Sequence, residues 1–555
     1  MKRLAFIAMI LLPAFVLGQV PVQHWVQFTD KDNTPFDVSQ PLEFLSQRAL
    51  DRRAIQNITI LDNDLPVDPA YIQAVLDEGA VYLTHSKWFN SVTVIVPNQA
   101  MLSAIQNLPF VLNSEPVGKK DGDKETINKF EFVEAEKSVA ETHFNESNYG
   151  LGLNQIDMLG GISLHNQGFR GQGMLIAVLD GGFSNVDVFP AFDSLRANNR
   201  IVGGWDFVAR DNSIYGDASH GMSVLSTMAA NLPGEFVGTA PEASYLLFRT
   251  EDTSSELPVE LDYWIAAAEF ADSAGADIIN SSLGYTTFDN SDFDFSYSDM
   301  NGDTIRGTRG ADIAASKGIL VVNSAGNSGD KPWQYIGAPS DGDSVLAIGA
   351  VTSEGFIANF SSEGLPSDND IKIKPNVCAQ GQQATIISGG GQVVTGNGTS
   401  FSGPIIAGMA ACLWQIHKDS LTNMQIFHAI EASAHKFRNP DGFYGYGIPN
   451  FAKANLILSG TDPNDVYESE LFEISPNPFA DQISGTFYSS SNQDVVIRLV
   501  NNLGQEVRRF EKATDDFTAV EFSFSGLRSL TQGMYVLHIE SDSGKYYQKM
   551  VKLRE

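Results

Sequence analysis

The sequence predicts an α/β fold whose centre is a parallel sheet covered by helices, with an α+β unit before it and a β-sandwich after it. Two observations carry the sheet and the sandwich. Between residues 149 and 460, continuous apolar runs (Leu175–Leu179, Tyr245–Phe248, Ile278–Ile279, Ile319–Val322, Val345–Ile348) alternate with helical patterns at 221–230, 258–274 and 310–317. Strands that are apolar throughout and separated by helices belong to a parallel sheet buried on both faces. From about residue 471 to 555, strand signals at 495–500 and 534–539 are joined by turn-forming stretches and no good helix pattern occurs, as in a small β-sandwich.

The chain begins with Met1-Lys2-Arg3 and an apolar run from Leu4 to Leu17. The run is too short to span a bilayer, and Val16-Leu17-Gly18 offers a cleavage point, so residues 1–18 read as a secretory signal peptide. Residues 19–118 mix strand patterns (25–28, two within 81–96, 110–117) with helical ones (41–55, 69–77, 98–107). A functional module and a pro-segment both fit this unit. Residues 119–148, opening with Lys119-Lys120-Asp121-Gly122-Asp123-Lys124-Glu125, are charged and poor in pattern, as in an exposed linker open to proteolysis. A second linker, Thr461-Asp462-Pro463-Asn464-Asp465, precedes the C-terminal unit.

Composition narrows the partners. The 555 residues carry a formal charge of -31 and no Lys/Arg cluster stands out, which disfavours nucleic acid and anionic membrane surfaces. The two cysteines, Cys378 and Cys412, sit in apolar stretches and are expected as buried thiols, although an exported chain could pair them. No Cys/His spacing fits zinc. The acidic stretch 288–308, with Asp299-Met300-Asn301-Gly302-Asp303, fits a solvated loop or a calcium site without the usual distal Glu.

Three motifs in the central domain carry chemistry. Ile176-Ala177-Val178-Leu179-Asp180 is a strand ending in an acid, His220-Gly221-Met222-Ser223 puts a histidine at a helix start, and Gly398-Thr399-Ser400 leads into the apolar run from Ile405 to Ile416. That run is apolar all round, as in a buried helix, and Pro404 is expected in its first turn. Ser400 would then sit at the positive end of a buried helix, a place suited to a nucleophile. A serine hydroxyl needs an imidazole to take its proton, and the imidazole needs a carboxylate to fix its tautomer.

With these motifs in the order Asp, His, Ser, residues 149 to about 455 resemble subtilisin-like serine endopeptidases, the subtilases. The resemblance implies Asp180 as the acid, His220 as the general base and Ser400 as the nucleophile. Ser324-Ala325-Gly326-Asn327 resembles the family's oxyanion stretch, with Asn327 as the side-chain donor. Ile279-Asn280-Ser281-Ser282-Leu283-Gly284 resembles the strand that pairs with extended substrate, so Ser282, Leu283 and Gly284, with Ser324, Ala325 and Gly326, are expected to bind substrate. Lys374-Pro375-Asn376-Val377 resembles the segment ahead of the serine motif. Gly181, Met222-Ser223 and Ser402-Gly403 depart from the family's usual residues without removing a catalytic atom. The resemblance makes residues 19–118 a pro-segment that assists folding and blocks the active site. The tail, from Ile474-Ser475-Pro476-Asn477-Pro478-Phe479 through Gly533-Met534-Tyr535-Val536 to Lys549-Met550-Val551-Lys552, resembles the type A sorting domain of the type IX secretion system of Bacteroidetes-type bacteria. The implied product is a secreted endopeptidase, extracellular or on the cell surface, acting on proteins or peptides and engaging the type IX machinery, with no required cofactor and calcium possible. The alternatives are a catalytically silent subtilase fold that binds surfaces and an adhesin working through its β-sandwich.

Overall fold

The computed structural model describes residues 21–119, 148–216, 218–364, 373–460, 472–488, 493–501, 504–514, 519–541 and 544–553. The signal-peptide reading, most of the 119–148 linker and the 461–465 linker lie outside these residues.

The N-terminal unit runs β1 (Val22–Phe28), α1 (Gln47–Ile55), α2 (Pro69–Asp77), β2 (Val81–Ser86), β3 (Ser91–Val96), α3 (Gln99–Gln106) and β4 (Val111–Lys119). Its helices start where the side chains dictate: Ser46, Asp68 and Asn98 each accept a first-turn N–H. The strands form an antiparallel sheet in the order β2-β3-β1-β4, with Val26, Phe28, Val92, Val94 and Ile105 in a small core. The helical pattern expected over 41–55 breaks into a 3-10 turn at Pro41–Glu43 and the helix α1, because Ser46 caps a new start.

The central domain continues with α4 (Leu153–Asp157), α5 (Gly161–Asn166), β5 (Leu175–Asp180), α6 (Asp193–Ala197), β6 (Ile201–Asp206), α7 (His220–Ala229), β7 (Asn231–Leu232), β8 (Phe236–Val237), β9 (Ser244–Arg249), α8 (Val259–Ala274), β10 (Ile278–Ser281), α9 (Arg306–Ser316), β11 (Leu320–Ser324), β12 (Val345–Val351), β13 (Val377–Gln380), β14 (Ala384–Ile387), β15 (Val393–Gly396), α10 (Thr399–His417), α11 (Asn423–Ala432) and α12 (Phe451–Leu458). Seven strands form one parallel sheet in the order β13-β12-β11-β10-β5-β9-β6. The five expected apolar runs are its inner strands. Strand β5 shows why they are apolar throughout: Ile176 and Val178 enter one core with α7 and α10, while Ala177 and Leu179 enter the other with α8 and α9. Both cysteines are buried and unpaired, as expected; burial pushes both thiols well up.

The N-terminal unit packs on α8 through buried charges. Asp272 of α8 receives Arg52 at 2.6 Å, Arg53 at 2.8 Å and Lys87 at 3.3 Å, and Arg53 and Lys317 share Asp64 at 3.0 Å each. Glu269, one turn earlier, accepts the N–H groups of Lys87 and Trp88 and the Ser86 hydroxyl. The C-terminal unit holds two antiparallel sheets, of three and four strands, around a core made by Phe479, Ile497, Phe522, Leu537 and their neighbours. No helix of the described residues is long and apolar enough to cross a membrane.

Candidate active site

Each site residue stands at the carboxyl end of a sheet strand or the amino end of a helix. Asp180 is the last residue of β5 and fully buried. His220 opens α7, and its Nδ1 lies 2.6 Å from Asp180 Oδ1. A carboxylate can only accept, so Nδ1 carries the proton and Nε2 is left as the basic nitrogen. Asp180 Oδ1 also accepts the Gly181 N–H at 2.7 Å, which orients the carboxylate. Gly221 makes the approach possible: a Cβ there would lie 2.8 Å from Asp180 Cβ and 2.6 Å from the Gly182 carbonyl oxygen. The glycine after the histidine is thus a positioning residue that the catalytic reading of the motif passed over.

Ser400 is the second residue of α10, which starts at Thr399, well ahead of the apolar run. Pro404 therefore lies inside the helix and not in its first turn, correcting the expectation. It has no N–H to offer the carbonyl four residues back, which is that of Ser400. That carbonyl instead accepts the Ser282 hydroxyl at 2.9 Å. The Ser400 N–H belongs to the first turn, where helical N–H groups have no intrahelical partner.

Asn327 is fixed from the same helix start. Its Oδ1 accepts both the N–H of Thr399, at 2.8 Å, and the Thr399 hydroxyl, at 2.9 Å. The amide oxygen is thereby committed and the Nδ2 donor turned the other way, where it lies 3.6 Å from the Cβ position of Gly398. Thr399 also takes the Gly326 N–H on its hydroxyl at 3.2 Å, tying the two loops together. Sequence reasoning had given Thr399 no role. Gly326 is held at φ +114°, a left-handed conformation that favours glycine.

Ser400, Asn327, Ser282, Leu283, Gly284, Ser324 and Gly326 line one cavity of about 170 Å³, with Tyr335 and Gly337 in its wall. Ala325 is not among its lining residues; it is buried, with its N–H on the Ile348 carbonyl. The His220 ring is 6.4 Å from that of Phe401, the residue after Ser400, so the Asp180–His220 pair borders the start of α10. Lys374, in the segment ahead of the serine motif, is buried at the amino end of β12, with its ammonium on the carbonyls of Gly342 and Val345; burial lowers its pKa to about 8.

The acidic 288–308 loop spends carboxylates on its own turns: Asp294 accepts the Phe288 N–H, and Asp299 that of Ser296. Among the described residues, the group able to hold a divalent ion is elsewhere: Glu251, Glu256 and Glu260, whose ligand oxygens lie within 4.8 Å of one another.

Comparison with known proteins agrees with this architecture. The Subtilase family model matches residues 171–447, the Bacteroidota model of the peptidase S8 propeptide domain matches 23–143, and the secretion system C-terminal sorting domain matches 473–553. Subtilisin E of Bacillus subtilis is 32% identical over 295 residues, covering 53% of this chain and 68% of that protein. The subtilisin of Bacillus pumilus is 31% identical over 295 residues, covering 53% of this chain and 94% of its own. The thermostable alkaline protease of Halalkalibacterium halodurans is 30% identical over 295 residues, covering 52% and 70%. The chain belongs to the subtilase family of serine endopeptidases, with a Bacteroidota propeptide domain before the peptidase domain and a type IX secretion sorting tail after it.

Proposed function

We propose that Asp180, His220 and Ser400 are the catalytic residues of this secreted endopeptidase and that Asn327 supplies an oxyanion donor. The observation that carries the reading is the 2.6 Å bond from His220 to the buried Asp180, at the border of the helix start that bears Ser400. His220 Nε2 takes the Ser400 proton as Oγ attacks the scissile carbonyl. Asp180 holds the imidazole in the right tautomer and stabilises its protonated form. The developing oxyanion meets the Asn327 Nδ2 amide and the Ser400 N–H, both fixed before substrate arrives. His220 then protonates the leaving amine, and water attacks the acyl-enzyme by the reverse path. Ser282, Leu283, Gly284, Ser324 and Gly326 line the groove that receives the peptide; Ala325 supports it from the core.

The proposed domain limits are 1–18 for the signal peptide, 19–118 for the pro-segment, 119–148 for the linker, 149–460 for the peptidase and 471–555 for the sorting domain. For a cation at Glu251, Glu256 and Glu260, the all-carboxylate donor set suits calcium, and a higher melting temperature in calcium than in chelator tests it.

The test of the triad is a serine-reactive phosphonate with peptide hydrolysis. The wild-type enzyme labels at Ser400, and Ser400→Ala neither labels nor cleaves while keeping its circular dichroism. Activity retained within a few-fold would overturn the assignment.

A further inference from the structure

The buried side chain of Lys374 ends among neutral oxygens. Its ammonium donates to the Val345 carbonyl at 2.6 Å, the Gly342 carbonyl at 2.8 Å and Asn376 Oδ1 at 3.1 Å. An ammonium has three N–H donors and no acceptor, so these three oxygens use it fully. Asn376 is itself fixed: its Oδ1 accepts the Ala347 N–H at 2.8 Å, and its Nδ2 donates to Glu431 at 2.8 Å. Burial opposes the charge on Lys374, whereas the carboxylates of Asp341, Glu431, Asp312 and Asp343 favour it, Asp341 most. Backbone carbonyls that converge inside a negative field are the surroundings of a bound metal ion, where they take the place of its water shell. Here the chain supplies the cation on a tether.

The carbonyls belong to a turn that reaches the groove. Gly337 lines the cavity beside Ser400. Three residues on, the Ser340 hydroxyl donates to the Ser324 carbonyl at 2.8 Å and accepts Asn323 Nδ2 at 2.9 Å, and Ser324 lines the same cavity. Gly342 and Val345 close the turn, with the Val345 N–H on the Gly342 carbonyl at 3.4 Å. Without a cation between them, buried oxygens that point at one another lose their partner and push the turn apart.

We propose that Lys374 is a positioning residue whose ammonium stands in for a bound metal ion and holds the turn 337–345 as a wall of the peptide groove. Its effect on peptide binding rests on Ser400 being the nucleophile of that groove; its effect on the turn does not. Because the cation is tethered, the wall is independent of the salt around the enzyme. Lys374→Ala leaves an oxygen-lined space that a small monovalent cation can enter, so this variant acquires a salt dependence that the native enzyme lacks.

The test compares wild type and Lys374→Ala in KCl, NaCl and tetramethylammonium chloride at equal ionic strength. Chelator keeps divalent ions off Glu251, Glu256 and Glu260. Tetramethylammonium is too large for the space and controls for screening. In that salt the variant should melt below wild type and show KM raised several-fold with kcat much less affected, because a displaced wall weakens binding of substrate and transition state alike. KCl or NaCl should return most of the lost melting temperature and of the lost KM, saturating with concentration, while wild type responds equally to all three salts. If Lys374→Ala is recovered unfolded, its refolding yield is read instead and should be higher in KCl or NaCl. A variant that responds alike to the three salts overturns the proposal, as does a wild type that gains from K⁺ or Na⁺ as much as the variant does. Rescue of melting with KM unchanged throughout overturns the role in the groove. Failure of a serine-reactive phosphonate to label wild-type Ser400 defeats the nucleophile reading instead and leaves the melting comparison standing.

Discussion

The Ser282 hydroxyl donates to the Ser400 carbonyl over 2.9 Å, and Pro404 is the reason that carbonyl is open to it. An ordinary residue at 404 would close the helical bond onto Ser400. With proline there, the strand wall of the groove supplies the donor and is tied to the backbone of Ser400, the proposed nucleophile. Ser282→Ala leaves the carbonyl unsatisfied and should cost about 1–3 kcal/mol of stability and lower kcat. Pro404→Ala restores an intrahelical donor. Placed in the Ser282→Ala background, it should recover more stability than it adds to wild type, which a double-mutant cycle by chemical denaturation reads directly.

Thr399 fixes Asn327 by using both its N–H and its hydroxyl on one amide oxygen. Asn327→Leu removes the donor itself and should lower kcat by about 10²–10³, the usual cost of one oxyanion donor. Thr399→Val keeps the N–H bond and loses the hydroxyl, so the fall in kcat should be smaller, with KM little changed. A Thr399→Ser variant should recover most of it. Equal losses in Val and Ser variants would mean that packing, not orientation, is at stake.

Asp272 links the pro-domain to α8. Burial pushes its pKa up, but Lys87, Arg52 and Arg53 outweigh burial and bring it down to about 2. All three cations belong to the pro-domain, so the depressed pKa is a measure of docking. A depressed carboxylate stabilises the complex above its free pKa, near 4, and the contribution is lost as pH falls from there towards 2. Glu269 shifts the other way, raised by burial, so only a comparison isolates Asp272. Asp272→Ala strands buried Arg52 and should weaken inhibition by the pro-domain added in trans by about 3 kcal/mol, or roughly a hundredfold. The gap between wild type and variant should close between about pH 4 and pH 2. A gap that persists at pH 2 would refute the assignment.

Asp180, His220 and Ser400, the residues proposed as catalytic, each stand in a motif beside the strand end or helix start that the motif implies, and the inner strands were legible as unbroken apolar runs. The edge strand β6 was not, because Gly203-Gly204 and Trp205 break the run and one face is half open. The start of α10 was misplaced because Gly, Ser, Thr and Pro read as a loop; burial and contacts from Asn327 and Ser282 hold those residues helical. Glu251, Glu256 and Glu260 follow no ligand spacing and meet only when the loop after β9 folds back on α8. Asp272 and Glu269 carry no mark of burial in the sequence; the docked pro-domain covers them.

The sorting tail has a core of its own, made by side chains between Phe479 and Met550, and none of Asp180, His220, Asn327 and Ser400 lies in it. A unit that buries its own apolar residues beyond a polar linker can fold separately from its neighbour. Removing residues 471–555 should therefore leave kcat/KM of the purified enzyme unchanged within about twofold and its melting transition intact. The same deletion should keep the protein from reaching the outside of a host with type IX secretion, leaving it in the periplasm. Cell fractionation and a peptidase assay on the truncated chain measure the two effects separately. Extracellular appearance of the truncated chain would remove the sorting role, while a truncated enzyme that folds but has lost activity would show that the tail supports the groove.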